Sequence, residues 1–462
     1  MSGTSTMGHT WGELARKAAA LVVLLGLVVG ARQLSGPVAG AAGAVLGLGL
    51  LLLAGDVAAE LVERIGLPHL SGYLFAGLLV GPHVLKAVPE TAVEALKPVN
   101  TLALALIALS AGAELTWELL SRGARSLVSS IGAQLLLVPT ACVGVLVALR
   151  PWVPFLREHS LPAAIGIALL WGVVALSRSP SVALGVISQL RPDGPLTRWT
   201  LSVVIALDLV VLVLFALARN VCGVLTEPGA TFSLDVLREV GIGLVGSFAC
   251  GTTLGLLVAL YLRTVRRELL LFLAVVGYGA SEFTAYFHFE AMLLFITAGF
   301  VVANVTTQGE RLLDAVAAGG RVVYVIFFAL AGAHLDLGML ARLWPVALAL
   351  AGTRALSTLG AAKLGARWAK DVDVVKRYGW LPLVSQAGVT IGMAVTIAGE
   401  FPGFGEKLAS ILIAVVGLNE TIGPVLFKYA IDHAGETGKA DAHATHRHAP
   451  QPQPNVESVP TT

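Results

Sequence analysis

Asp208 stands tenth in the twenty-residue run 199–218, WTLSVVIALDLVVLVLFALA, which Arg198 and Arg219 bracket and which holds no other formal charge. Twenty residues of helix at ~1.5 Å each span ~30 Å, the depth of a bilayer's hydrocarbon, so this carboxylate falls near the midplane. An ionised Asp there costs roughly 2.5–3.5 kcal/mol. A proton or a bound cation each cancels the charge that carries this cost, so reversible binding of one or the other is the chemistry open to the residue. Its own helix offers no polar partner, because positions 204, 205, 211 and 212 are Val, Ile, Val and Leu.

Two more charges sit at similar depth. Arg354 is twelfth of the twenty residues between Arg342 and Lys363, and Glu420 is thirteenth of the twenty between Lys407 and Lys428. Arginine hardly deprotonates, so Arg354 reads as structural support or charge compensation, including a lasting ion pair with Asp208 or Glu420. Glu420 reads as a structural or coupling residue. Hydroxyl oxygens come from two interrupted stretches, Ser177-Arg178-Ser179-Pro180-Ser181 and Ser385-Gln386-Ala387-Gly388-Val389-Thr390. Pro180 removes a backbone donor, and the serines supply oxygen ligands. Arg178, beside the first break, reads as a snorkelling arginine, with a mouth-lining or anion-facing group as the alternative. Asp56 and Glu60, one turn apart, read as interfacial, and Glu282 and His288 as polar contacts or residues of an outer mouth.

The elements that must position these groups are membrane helices. Of 462 residues, 56% are hydrophobic and 13% charged, and mean hydropathy is +0.82, far from a soluble domain with about a quarter charged. Apolar segments fall at 18–30, 38–61, 69–85, 99–117, 126–149, 161–190, 199–218, 239–262, 269–287, 290–304, 322–334, 343–362, 378–399 and 408–427, fourteen in all. The first of these follows Arg16 and Lys17 and resembles a signal peptide as well as a helix; the helix is preferred. With both termini cytoplasmic, inner loops and tails hold 20 of the 31 Lys and Arg and outer loops 9, the remaining two being Arg178 and Arg354 inside segments. That asymmetry fits the positive-inside rule and fourteen crossings. A net charge of +2 spread over short loops gives no basic face for nucleic acid, and Cys142, Cys222 and Cys250 lack metal-ligand spacing. Residues 1–17 form a cytoplasmic N-terminus, 18–430 the membrane domain, and 431–462 a disordered His/Pro-rich cytoplasmic tail, whose His443, His446 and His448 read as solvated.

Segments seven apart match. AGLLVG (76–81) of the third corresponds to AGFVVA (298–303) of the tenth, and AGAEL (111–115) of the fourth to AGAHL (331–335) of the eleventh. An odd offset inverts the second repeat in the membrane, and sites in such architectures lie where corresponding helices are broken. Segments six and thirteen, which carry the two interruptions, are such a pair. The expected fold is therefore an all-α polytopic membrane protein of 13–14 helices with inverted repeats and two crossed broken helices.

GYLFAGLLVGP (72–82), SVVIALDLVVLVLFALA (202–218), LPLVSQAGVTIGMAV (381–395) and LNETIGPVLFKYA (418–430) together resemble the monovalent cation:proton antiporters, in the branch of bacterial sodium/proton and potassium/proton exchangers. The similarity covers 38–430. It implies crossing of the two broken helices, binding of cation and proton in turn at Asp208, Arg354 beside that carboxylate, a homodimer in the bacterial plasma membrane, no cofactor and no enzymatic activity. Ser177, Ser179 and Thr390 would complete an oxygen shell around transported Na⁺ or K⁺. The family usually places Asp or Asn before its Asp; here that position is Leu207, so one carboxylate and one-for-one exchange are expected. The alternatives are a sodium-coupled organic anion transporter of the same fold and a membrane ion sensor that does not transport. An intramembrane hydrolase is the least favoured reading, since no nucleophile–base set appears at helical spacing.

Overall fold

The computed structural model describes residues 16–17, 19–23, 26–27, 40–115, 117, 123–226, 235–265, 269–287, 289–335, 337–386 and 388–439. His288, the tail histidines and part of segment 18–30 lie outside the described residues; within that segment, residues 19–23, 26 and 27 are helical. No strand occurs among the described residues. In chain order the helices are α1 (Gly40–Arg64), α2 (His69–Val80), α3 (Glu90–Ala95), α4 (Lys97–Glu114), α5 (Ala124–Ala148), α6 (Pro154–Arg157), α7 (Leu161–Val174), α8 (Pro180–Leu190) and α9 (Pro195–Thr226). They continue with α10 (Asp235–Thr264), α11 (Leu269–Phe287), α12 (Ala291–Val305), α13 (Gly309–Ala333), α14 (Leu337–Ala369), α15 (Asp373–Tyr378), a 3-10 turn (Pro382–Val384), α16 (Gly388–Glu400) and α17 (Gly405–Ala434).

Among the described residues, six spans are long and apolar enough to cross a membrane, and six further apolar helices are 10–17 residues long. The protein is an integral membrane protein. Several helices outrun their apolar segments: α9 has 32 residues, about 48 Å at 1.5 Å per residue, well beyond the ~30 Å hydrocarbon.

The helices pack as two bundles. In one, α5 lies on α14 and α7, α7 on α9, and α17 on α14 and α16; in the other, α2 lies on α1 and α13, and α4 on α12 and α13, with α10 on α12. Helices α8 and α9 touch both. The closest backbone approaches of the second bundle fall on the repeated Ala-Gly motifs. A Cβ on Gly77 would overlap the Ala329 carbonyl and one on Gly332 that of Leu74, which joins α2 to α13. Likewise Gly112 meets Ile296 and Gly299 meets Leu109, which joins α4 to α12. In lipid, association rests on such close van der Waals contact rather than on hydrophobic burial.

Gly112→Ala should therefore lower the unfolding temperature in detergent, because overpacking of this kind costs ~1–3 kcal/mol. Gly144→Ala on α5 should hold or raise it, since its added methyl meets nothing within 4 Å and Ala is the better helix former by ~1 kcal/mol. Equal shifts in the two variants would remove the packing explanation.

Candidate functional site

Segments six and thirteen are both broken, as their sequences led us to expect. The first stops at Val174 and restarts at Pro180, where Ser179 caps α8 by accepting from Val182 N at 3.1 Å. A proline at that first helical position loses nothing, because its missing N–H would have had no intrahelical partner. The second passes from its 3-10 turn through extended Ser385 into α16. Each break frees backbone carbonyls that lipid cannot satisfy, so protein must.

Arg354 does so for both. Its buried guanidinium donates from Nε to Ala175 O at 2.9 Å, from Nη2 to Ser177 O at 2.9 Å and Leu383 O at 3.4 Å, and from Nη1 to Val384 O at 2.5 Å. A planar fork of five donors suits acceptors converging from two chain segments, and the positive charge meets the negative ends of two interrupted helices. Around this crossing Thr390 Oγ1 donates to Ser177 Oγ at 3.1 Å, Gln386 Nε2 to Val174 O at 3.2 Å, and Asn419 Nδ2 to Gln386 Oε1 at 2.8 Å.

The sequence had suggested Arg354 beside a carboxylate; among the described residues no ion pair joins it to Asp208 or Glu420. Arg178 lies on the cavity wall rather than at a lipid interface. It does not snorkel but is 1% exposed, donating to Ala175 O at 3.2 Å, Gln134 Oε1 at 3.0 Å and Thr358 Oγ1 at 3.1 Å. The bundle itself supplies its acceptors, so its head need not reach water.

Asp208 on α9 is 9% exposed, and its Oδ1 is buried without a hydrogen-bond partner among the described residues. A cavity of about 870 Å³ is walled by Leu212, Phe215, Ala216 and Arg219 of the same helix and by Ser179, Pro180 and Ser181 of the first break. Positions 208, 212, 215, 216 and 219 share one helical face, which places Asp208 one turn further in than the Leu212 wall. At the other end of that face, Arg219 Nε meets Glu400 Oε2 of α16 at 2.8 Å. Glu420 on α17 is 1% exposed, and its Oε2 has no hydrogen-bond partner among the described residues. Of the expected ligands, Ser177 and Thr390 meet at the crossing, Ser179 lies on the cavity wall, and Asp208 stands on the cavity's helical face.

Two residues escaped sequence reasoning. Glu290 immediately precedes α12 and lines the cavity that runs along the Asp208 face of α9. An acid at the first position of an apolar segment was the signal. Glu436 was assigned to a disordered tail, yet α17 runs to Ala434 and 431–439 belong to the folded unit. Its buried carboxylate accepts from Leu196 N at 2.8 Å, Thr197 N at 2.9 Å and Thr197 Oγ1 at 2.6 Å, capping the first turn of the Asp208 helix. Asp56 and Glu60, read as interfacial, are met there by Lys17, which pairs with both.

A family model described as "Sodium/hydrogen exchanger, transmembrane" matches residues 48–428. Among solved structures, the sodium proton antiporter MjNhaP1 from Methanocaldococcus jannaschii at pH 8 is similar at 19% identity and a TM-score of 0.60, over 86% of this chain and 98% of that one. An electron-microscopy map of the same antiporter gives 18% identity and a TM-score of 0.63, over 89% of this chain and 100% of that one. At these identities the likeness concerns the fold. No curated protein matches.

Proposed function

The chain belongs to the sodium/hydrogen exchanger family, within the monovalent cation:proton antiporters, and from that premise we propose that it exchanges Na⁺ or K⁺ for protons by alternating access, with Asp208 binding proton and cation in turn. One observation carries this reading: the buried, unpartnered Oδ1 of Asp208 one helical turn inward from a cavity wall. A carboxylate left without a protein donor at that depth is stabilised only by what it binds, and the two candidates exclude each other on charge. The oxygen-rich crossing of Ser177 and Thr390 and the wall residue Ser179 supply hard ligands of the kind alkali ions take.

Loop charge supports cytoplasmic termini, and the family resemblance supports a bacterial plasma membrane. On that orientation the cavity, which ends near Arg219 and Thr396, opens to the outer side, and an opposite opening would complete the cycle. The family resemblance supports a homodimer. The organic-anion alternative, which an anion-facing Arg178 and Leu207 would favour, is weakened, because both terminal nitrogens of Arg178 donate to protein acceptors.

The test is proton flux in proteoliposomes loaded with acid and a pH-reporting dye. Outside Na⁺ or K⁺ should raise the internal pH in a saturable, protein-dependent way, and repeating with each ion ranks the two. Flux that requires an organic anion and ignores both cations would overturn the proposal.

A further inference from the structure

Leu207 leaves Asp208 without the adjacent polar residue of its family, so a lone monovalent carboxylate would have to draw a hydrated cation out of water into a 9%-exposed position. The fold brings a second acid to the same cavity from a distant part of the sequence. Glu290 stands where α12 begins, and its backbone is fixed by its N–H donating to Ser247 Oγ of α10 at 2.8 Å. From there it lines the cavity that runs along the Asp208 face of α9 and past Ser179.

We propose that Glu290 is a specificity-determining residue of the exchange site, a second carboxylate that meets the dehydrating cation ahead of Asp208 and shares its charge.

The other charges on the cavity wall do not perform that task. Arg219 is paired with Glu400 at 2.8 Å. Arg178 is turned onto the Ala175 carbonyl, Gln134 and Thr358. Among the described residues, Glu290 is thus the acid of the wall. A monovalent cation between two carboxylates gains attraction from both, whereas a small anion is repelled by both. The cavity's apolar residues, Leu212, Phe215 and Met292 among them, keep the local dielectric low and strengthen that discrimination.

This inference rests on the exchange reading of Asp208, and the experiment separates the two. In proteoliposomes of the full chain, Glu290→Gln should raise the apparent KM for Na⁺, and for K⁺ if it is carried, by about tenfold to a hundredfold, the effect of one charge acting over about 6–12 Å at an effective dielectric constant near 20. The maximal rate should change much less, and Glu290→Asp should recover most of the affinity. A merely structural Glu290 would lower the rate or the yield and leave KM in place. Should the Gln variant fail to fold, Glu290→Cys offers a second route: an anionic thiosulfonate reagent should restore cation affinity, and a cationic one should depress it further. Unchanged KM in Glu290→Gln, or indifference of Glu290→Cys to the reagent's charge, overturns the proposal. If the unmodified protein shows no cation-dependent proton flux, the exchange reading itself has failed.

Discussion

Asp208→Asn abolishes cation-dependent proton flux to the level of protein-free vesicles while the protein folds as well as before, or better. The two halves of this expectation come from one fact. Asn keeps the size and shape of Asp but neither takes up a proton nor carries the negative charge that holds a cation, so each half of the exchange is lost. The same change removes the roughly 2.5–3.5 kcal/mol cost of an ionised carboxylate at the centre of a membrane helix. No protein donor to Oδ1 is sacrificed, because none exists among the described residues. The unfolding temperature in detergent should accordingly stay level or rise. A structural acid behaves oppositely: breaking a buried pair strands the partner and costs ~3–5 kcal/mol. Flux in acid-loaded vesicles and thermal unfolding of the same preparation decide the matter together. Retained flux would sink the carrier assignment, and a large fall in stability would turn Asp208 into a structural residue.

Hydropathy and charge made much of this fold legible, because the bilayer imposes one requirement on every crossing and that requirement is written along a single chain segment. Segment 269–287 became α11 with the same bounds, and 126–149 differs from α5 by a residue or two at its ends. The inverted repeat was legible for a different reason: the close approaches it creates tolerate only glycine, so Gly77, Gly112, Gly299 and Gly332 keep their registers. Helix ends were less so. Segment eleven was expected to start at 322, yet α13 begins at Gly309, because a helix continues past the hydrocarbon wherever its backbone can be bonded.

The site was half legible. Asp208 and the two breaks follow from cost and from proline chemistry, both local properties. The partners of Arg354 do not, since they are main-chain carbonyls and any residue supplies those. Glu290 stayed hidden because segments nine and ten nearly touch in sequence, so an acid that faces a cavity looked like part of a short loop. Glu436 stayed hidden because its task, holding the first turn of α9, joins positions 240 residues apart.

Arg354 is where the two readings of a buried arginine give opposite results. Were it present to balance the charge of Asp208, neutralising both residues together would restore the stability lost by neutralising Arg354 alone. Its guanidinium instead bonds the carbonyls of Ala175, Ser177, Leu383 and Val384, two from each broken helix. Ala175 O keeps a donor in Arg178 Nη1, but each of the other three carbonyls, stripped of its donor at that depth, costs about 1–3 kcal/mol, and together they rival the 5–15 kcal/mol that holds a typical fold together. Arg354→Gln should thus lower the unfolding temperature steeply and reduce monodisperse protein in size-exclusion chromatography. Arg354→Lys should fall between, because a single ammonium cannot reach acceptors spread around a planar fork. The deciding measurement is the double variant Asp208→Asn with Arg354→Gln. It should unfold no later than Arg354→Gln corrected for the small independent effect of Asp208→Asn, giving near-zero coupling in a double-mutant cycle. Recovery of stability in the double variant would show instead that the arginine answers to the carboxylate and not to the broken helices.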